Sequence, residues 1–188
     1  VKNSLVPLLV AAWLAVAPAS ADPKPYQPRH ELIDGNELVF VYIGGTNCGF
    51  CNDPTIKAAV IKARSMLAER ADAAHRPFSA TGVALDYDLK EGLAYLKPLG
   101  PFDQVMLGRD WFNSAVLDLM ASGGDDAIIG VPQIIVYERT IEHRTGKYTV
   151  APPRILARIP GTAIPLWVQG GAQLSEASAE KTTPATSP

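Results

Sequence analysis

Apolar and polar positions alternate in different rhythms along this chain, and each rhythm predicts its own element. Leu38-Val39-Phe40-Val41-Tyr42-Ile43 is an unbroken apolar, β-rich run ending at Gly44-Gly45, the pattern of a central strand covered on both faces. Ile56, Ala59, Val60, Ala63, Met66 and Leu67 then recur at helical spacing, with Lys57, Lys62, Arg64 and Glu69 between them. That spacing predicts an amphipathic helix packed on the strand. A second strand is expected over 78–85, followed by Asp86-Tyr87-Asp88 as turn residues and a short helix over 89–96 that Lys97-Pro98 stops.

Further along, Asp110 is placed to cap a helix over 111–121, and Ser122-Gly123-Gly124 supplies its end. A strand is expected over 132–139, with a partner across Thr145-Gly146 at either 148–150 or 155–159. Leu166 and Trp167 suggest a last helix, and Tyr95, Trp111 and Phe112 read as core. Arg139, His143, Arg144 and Lys147 read as the solvated face of the hairpin.

The two ends depart from this pattern. Lys2, an apolar run from Leu5 to Ala17 and the small-residue site Ala19-Ser20-Ala21 together read as a secretory signal peptide over 1–21. The apolar run is shorter than the ~20 residues that span a bilayer, so no stable membrane insertion is expected after cleavage. Val1 in place of Met fits a non-standard start codon and points to a bacterial source. The expected location is therefore periplasmic or secreted. Pro23, Pro25 and Pro28 make 22–30 an extended leader. The Ala/Ser/Thr/Pro/Glu composition of 170–188 predicts a disordered tail.

Composition changes the picture only by exclusion. The 188 residues, 47% hydrophobic with a formal net charge of -2, suffice for one domain and give no electrostatic hold on nucleic acid.

Only two cysteines are present, and they stand three apart in Cys48-Gly49-Phe50-Cys51, between the central strand and the long helix. At i and i+3 in a first helical turn, two thiols can close or open a disulfide with little backbone movement. Unpaired N–H groups there favour the thiolate of the first. Cys48 is thus the expected nucleophile and Cys51 the resolving thiol. A structural disulfide, an inert thiol pair and a zinc site compete with this reading. Zinc needs about four ligands, and His30, His75 and His143 are scattered. No metal or cofactor is expected.

Val131-Pro132 opens the apolar strand Gln133-Ile134-Ile135-Val136-Tyr137. Taken alone, a proline there is an edge or turn device. The order of buried strand, CxxC, helix, further elements, Val-Pro and final hairpin resembles the thioredoxin superfamily over residues 31–169, and Gly130-Val131-Pro132 is similar to its periplasmic disulfide-oxidoreductase branch. This resemblance implies an α/β thioredoxin-like fold, a single domain with a central mixed β-sheet flanked by helices. It also implies a Cys48–Cys51 redox disulfide and a cis Pro132. Substrate contacts would come from Val131, Pro132, Phe50 and Gly49, with Val131 pairing an extended peptide.

The implied activity is that of a thiol–disulfide oxidoreductase acting on protein thiols or disulfides together with a redox partner in the cell envelope. Gly-Phe between the cysteines resembles the reductase or isomerase-like members. A redox-passive binding module, a chaperone or an assembly factor on the same scaffold stays open. Two departures matter. Tyr42 stands where many thioredoxins carry a buried acid, which leaves the proton acceptor for Cys51 unassigned. Asp53-Pro54 follows Cys51 directly, so the helix either bends there or restarts with Asp53 as cap.

Overall fold

A computed structural model describes residues 33–120, 129–144 and 147–175. The chain divides between Leu32 and Ile33. The signal peptide and leader expected over 1–30 lie outside the described residues, as do the turns at Ser122-Gly123-Gly124 and Thr145-Gly146.

The unbroken apolar run forms the heart of strand β1 (Gly35–Gly44). Its even positions Leu38, Phe40 and Tyr42 pack into one core, while Val39, Val41 and Ile43 enter a second core on the opposite face. Each large side chain fully withdrawn from water here contributes about 1.5–3 kcal/mol, so the sheet needs cover on both sides. Helices α1 (Pro54–Ala73) and α4 (Ile164–Gln169) supply the first side through Ile56, Val60, Leu67, Ile164 and Val168. On the second side, Ala115 and Val116 of α3 (Ser114–Leu119) and the adjoining Met120 pack in.

The sheet is mixed. Strand β1 pairs in parallel with β2 (Phe78–Ala84), and β2 in parallel with the edge strand β3 (Gln104–Leu107). On its other side β1 pairs antiparallel with β4 (Gln133–Arg144). Both β5 (Lys147–Val150) and β6 (Arg154–Pro160) lie antiparallel on the far edge of β4. Helix α2 (Leu89–Leu96) follows β2. The α/β element order is the one expected from the sequence: strand, cysteine pair, helix, parallel strand, then Val-Pro opening an antiparallel strand and a closing helix.

Four sequence expectations change. Both candidate partners of β4 form strands, because β4 is long enough to hold β6 along its first half and β5 at its end. Strand β3 is not expected from the sequence, since four residues, two exposed and two half-buried, carry too short a pattern. Asp110 starts a single 3-10 turn (Asp110–Phe112), and the short α3 behind it is capped by Asn113, whose Oδ1 accepts from Ala115 N at 3.0 Å. Trp111 and Phe112 are therefore exposed instead of core, whereas Tyr95 is buried.

The fourth change lies past Gly170, where composition predicted a disordered tail. Arg70 donates to the carbonyls of Gly171 and Ala172 at 2.8 and 2.9 Å, and Trp167 Nε1 donates to Gln173 O at 2.8 Å. The packed chain continues at least to Ser175, whose N–H donates to Leu156 O at 3.2 Å.

Strand register gathers four connecting segments at one end of the sheet. Gly44 lies opposite Ala84, Ile43 opposite Gln133, and Gln133 opposite Pro160. The residues after β1, β2 and β6 and those before β4 thus meet beyond the carboxyl end of the parallel strands, the usual place for a site in an open α/β sheet.

Candidate functional site

At that end, Cys48 and Cys51 are joined by a disulfide with their Cα atoms 5.1 Å apart. Cys48 is half-buried, while Cys51 has no solvent exposure. The pair does not occupy the first turn of α1, as expected from sequence. Phe50–Asn52 forms a separate 3-10 turn, Asp53 is extended, and α1 begins afresh at Pro54. Asp53 Oδ1 accepts from Thr55 N at 2.7 Å and from Ile56 N at 3.3 Å, which holds its carboxyl below the usual range. The positive end of α1 is therefore occupied by a carboxylate, and the dipole that was to favour the Cys48 thiolate is largely spent on Asp53. What remains for Cys48 Sγ is the Cys51 N–H, 3.0 Å away.

Asn52 holds this loop in place. Its Nδ2 donates to Thr46 O at 2.7 Å and to Cys48 O at 3.1 Å, and its Oδ1 accepts from Lys57 Nζ at 2.9 Å. Thr46 is tied to the neighbouring strand end as well. Its N–H lies 3.1 Å from Asp86 Oδ1, and its hydroxyl donates to the same oxygen. Asp86, read from sequence as a turn residue, is buried.

Behind Cys51 stand two tyrosines. Tyr95 OH donates to Cys51 O at 3.2 Å and lies 2.6 Å from Tyr42 OH. Because the single Tyr95 hydrogen is committed to the carbonyl, Tyr42 donates to Tyr95. Burial pushes the Tyr95 phenol up to about 12, with Asp86 adding to the shift and the Tyr42 hydrogen bond opposing it. Burial pushes Tyr42 up too, with Tyr95 as the second cause. Neither phenol ionises near neutral pH, so neither is the base left unassigned by the sequence. A Cβ at Gly44 would come within 2.6 Å of both hydroxyls, so the residue there must be glycine for the pair to fit.

Val131 and Pro132 reach the cysteines across the β1–β4 register. The Val131–Pro132 peptide is cis. Cys48 Sγ lies 3.6 Å from Val131 O, and Val131 is half-buried where Pro132 is buried. Pro132 is backed by Gly161, at which a Cβ would meet Pro132 Cγ at 2.6 Å and Cδ at 2.7 Å. Phe50 is 63% exposed. It joins Val131, Pro132 and Gly161 around a shallow cavity of about 140 Å³. Gly49 is exposed beside it.

The structure thus brings Cys48, Cys51, Gly49, Phe50, Val131 and Pro132 together at one end of the sheet. Sequence reasoning missed Asn52, Asp86, Tyr95 and Gly161 as parts of this site. Asp86 alone carried a signal, being an acid immediately beyond an apolar strand. Among the described residues no three His, Cys, Asp or Glu side chains are grouped to hold a metal ion. His143 stacks on Tyr148 in the hairpin, and His30 lies outside the described residues. No helix among the described residues is long and apolar enough to cross a membrane.

No protein-family profile and no curated protein matches this chain. Among solved structures, the chain is similar to a thiol:disulfide interchange protein, a thioredoxin family protein from Chlorobium tepidum TLS. The two share 18% identity over 73% of this chain and 81% of that one, with a TM-score of 0.35.

Proposed function

We propose that this protein is an exported thiol–disulfide oxidoreductase that works by mixed-disulfide exchange with protein substrates, in the reductase or isomerase-like direction. The observation that carries the reading is the asymmetry of the Cys48–Cys51 pair. One sulfur belongs to a half-buried cysteine beside the Val131 carbonyl, and the other belongs to a residue with no solvent exposure whose carbonyl accepts from Tyr95.

In the reducing direction the Cys48 thiolate attacks one sulfur of a substrate disulfide. The S–S bond breaks, the second substrate sulfur leaves as a thiolate that takes up a proton, and a Cys48–substrate disulfide forms. Cys51, losing its proton, then attacks Cys48 Sγ. The Cys48–Cys51 disulfide closes and the first substrate sulfur is released as thiolate. Two electrons have passed to the substrate, and a dithiol partner in the envelope restores the pair. Val131 pairs with the extended substrate backbone, while Pro132, Phe50 and Gly49 border its path.

Direction follows from what stabilises the Cys48 thiolate. The start of α1 is displaced beyond Asp53, whose charge occupies that helix end. A less favoured thiolate means a less stable dithiol, hence a stronger reductant. The test is trapping. Cys51→Ser exported with the cell's own proteins should accumulate partners linked through Cys48 that a reductant releases. Recovery of none, with the variant folded and Cys48 alkylatable, would favour a redox-passive binding module.

A further inference from the structure

Beside Cys48 lies a second cavity, one that Phe50 does not line and that the exchange chemistry does not use. It measures about 240 Å³ and is lined by Cys48 and Val131 together with Asp86, Tyr87, Asp110 and Trp111. That volume falls below the ~300 Å³ at which small-molecule sites begin, and it suits a single side chain. Two of its walls are aromatic, with Tyr87 83% and Trp111 41% exposed. Two are carboxylates, and among the described residues no Lys, Arg or His lines it.

The wall bearing Asp110 and Trp111 is held at a conformational cost. Gly108, Arg109 and Asp110 have φ of 81°, 66° and 53°, and two successive non-glycine residues in the left-handed region persist only where their surroundings enforce it. Buried Asn113 enforces it here, its Nδ2 donating to Gly108 O at 3.1 Å. This turn presents an indole and a carboxylate to the solvent beside a redox sulfur. Had the sequence expectation held, with α3 starting at Trp111, both aromatic residues would have packed inside.

We infer that this cavity is a specificity subsite for a cationic side chain, Lys or Arg, placed within two residues of the reacting cysteine of a protein substrate. The inference rests on the exchange reading and names the substrate class that reading leaves open. Exposed aromatic faces attract ammonium and guanidinium groups, and Asp86 and Asp110 give the complementary charge. Because Val131 borders both the peptide path and the cavity, a residue two positions from the substrate cysteine, on the same side of an extended chain, reaches it. Acidic flanks would meet Asp110 and be rejected.

The experiment uses short peptides with one cysteine carried as its disulfide with 2-nitro-5-thiobenzoate, and Arg, Gln or Glu two residues away. The reduced full-length chain attacks the peptide sulfur. The coloured aryl thiolate leaves, and Cys51 then displaces the peptide thiolate from Cys48. Each rate is divided by that with a small dithiol, because a neighbouring cation itself speeds attack.

The Arg peptide should exceed the Glu peptide by about tenfold at low salt, and the ratio should collapse in high salt. It should also collapse in Asp110→Asn, where Asn tolerates the positive φ, and shrink in Trp111→Leu. A ratio near one in the unaltered chain, or one that Asp110→Asn and Trp111→Leu leave intact, would overturn the subsite while leaving exchange standing. Absence of colour release from every peptide would overturn the exchange reading and the subsite with it.

Discussion

The two sulfurs of the disulfide sit in opposite surroundings. Cys48 lines a cavity with the exposed aromatics Tyr87 and Trp111, and its sulfur lies 3.6 Å from the carbonyl of half-buried Val131. Cys51 has no exposure, and its carbonyl is hydrogen-bonded to a buried phenol that a second phenol supports. On the proposed exchange reading, this contrast gives two identical side chains unequal roles: access selects the sulfur that attacks, and burial among satisfied polar groups selects the one that waits.

Exchanging the two roles is the strongest way to break the comparison. Cys48→Ser should lower disulfide exchange at least on the order of 10³-fold, as loss of a nucleophile does. Cys51→Ser should keep the first attack and lose only turnover. Stopped-flow mixing with a chromogenic disulfide separates these phases, and equal first-phase rates in the two variants would abolish the assignment.

Gly161→Ala tests the Cys48 side through packing. Its new methyl would overlap Pro132 Cγ and Cδ and lie 3.1 Å from Pro132 O, so the strand start must shift. Overpacking of this kind costs about 1–3 kcal/mol. Chemical denaturation should show the loss, and peptide exchange should slow further than the folded fraction explains, because Val131 moves away from Cys48.

On the Cys51 side, Tyr95→Phe removes the donor to Cys51 O and strands the Tyr42 hydroxyl. It should destabilise by about 1–3 kcal/mol. Tyr42→Phe leaves the bond to Cys51 O in place and should cost less, about 0.5–1.5 kcal/mol. If denaturation curves rank the two variants the other way, the order of donors in the pair is wrong.

Alkaline titration sharpens the same point without a truncation. The Tyr95 phenol rises from 10.0 to about 12 on folding, so the unfolded chain ionises first. The tyrosine contribution is therefore fully present below pH 10 and is lost as pH climbs from about 10 through about 12. Tyr42, raised by burial as well, extends that loss upward. Phenolate absorbance at 295 nm followed alongside unfolding should show ionisation of these two groups only as the fold opens, and the dependence should weaken in Tyr95→Phe.

The effect of Asp53→Asn is expected to be the smallest. Asn caps as well as Asp, so α1 keeps its start, while loss of the negative charge that offsets the positive helix end favours the Cys48 thiolate, and the alkylation profile of Cys48 should move to lower pH.

The site's backbone was legible in the sequence because each part has a short-range cause. Leu38–Ile43 had to be a doubly covered strand, Asp53-Pro54 offered a helix start, and Gly130-Val131-Pro132 ahead of an apolar strand completed the resemblance. What could not be read depends on three-dimensional register. Nothing in the string brings Tyr95 to Tyr42, Asp86 to Thr46, or Gly161 to Pro132. Those meetings follow from strands β1, β2, β4 and β6 ending at the same level. Trp111 and Phe112 were misplaced for a related reason. Their pattern fits a helix face, but Asn113 caps in place of Asp110, and the helix begins three residues later.

The decisive measurement is the reduction potential of the Cys48–Cys51 pair in glutathione buffers, with each sulfur followed by alkylation. The expected result is rapid exchange at a potential toward the reducing end of the oxidoreductase range of about -120 to -270 mV, with Cys48 alkylated well before Cys51. A potential below about -300 mV reached only slowly, or equal alkylation of the two thiols in the folded protein, would make the disulfide a structural staple and contradict the division of roles.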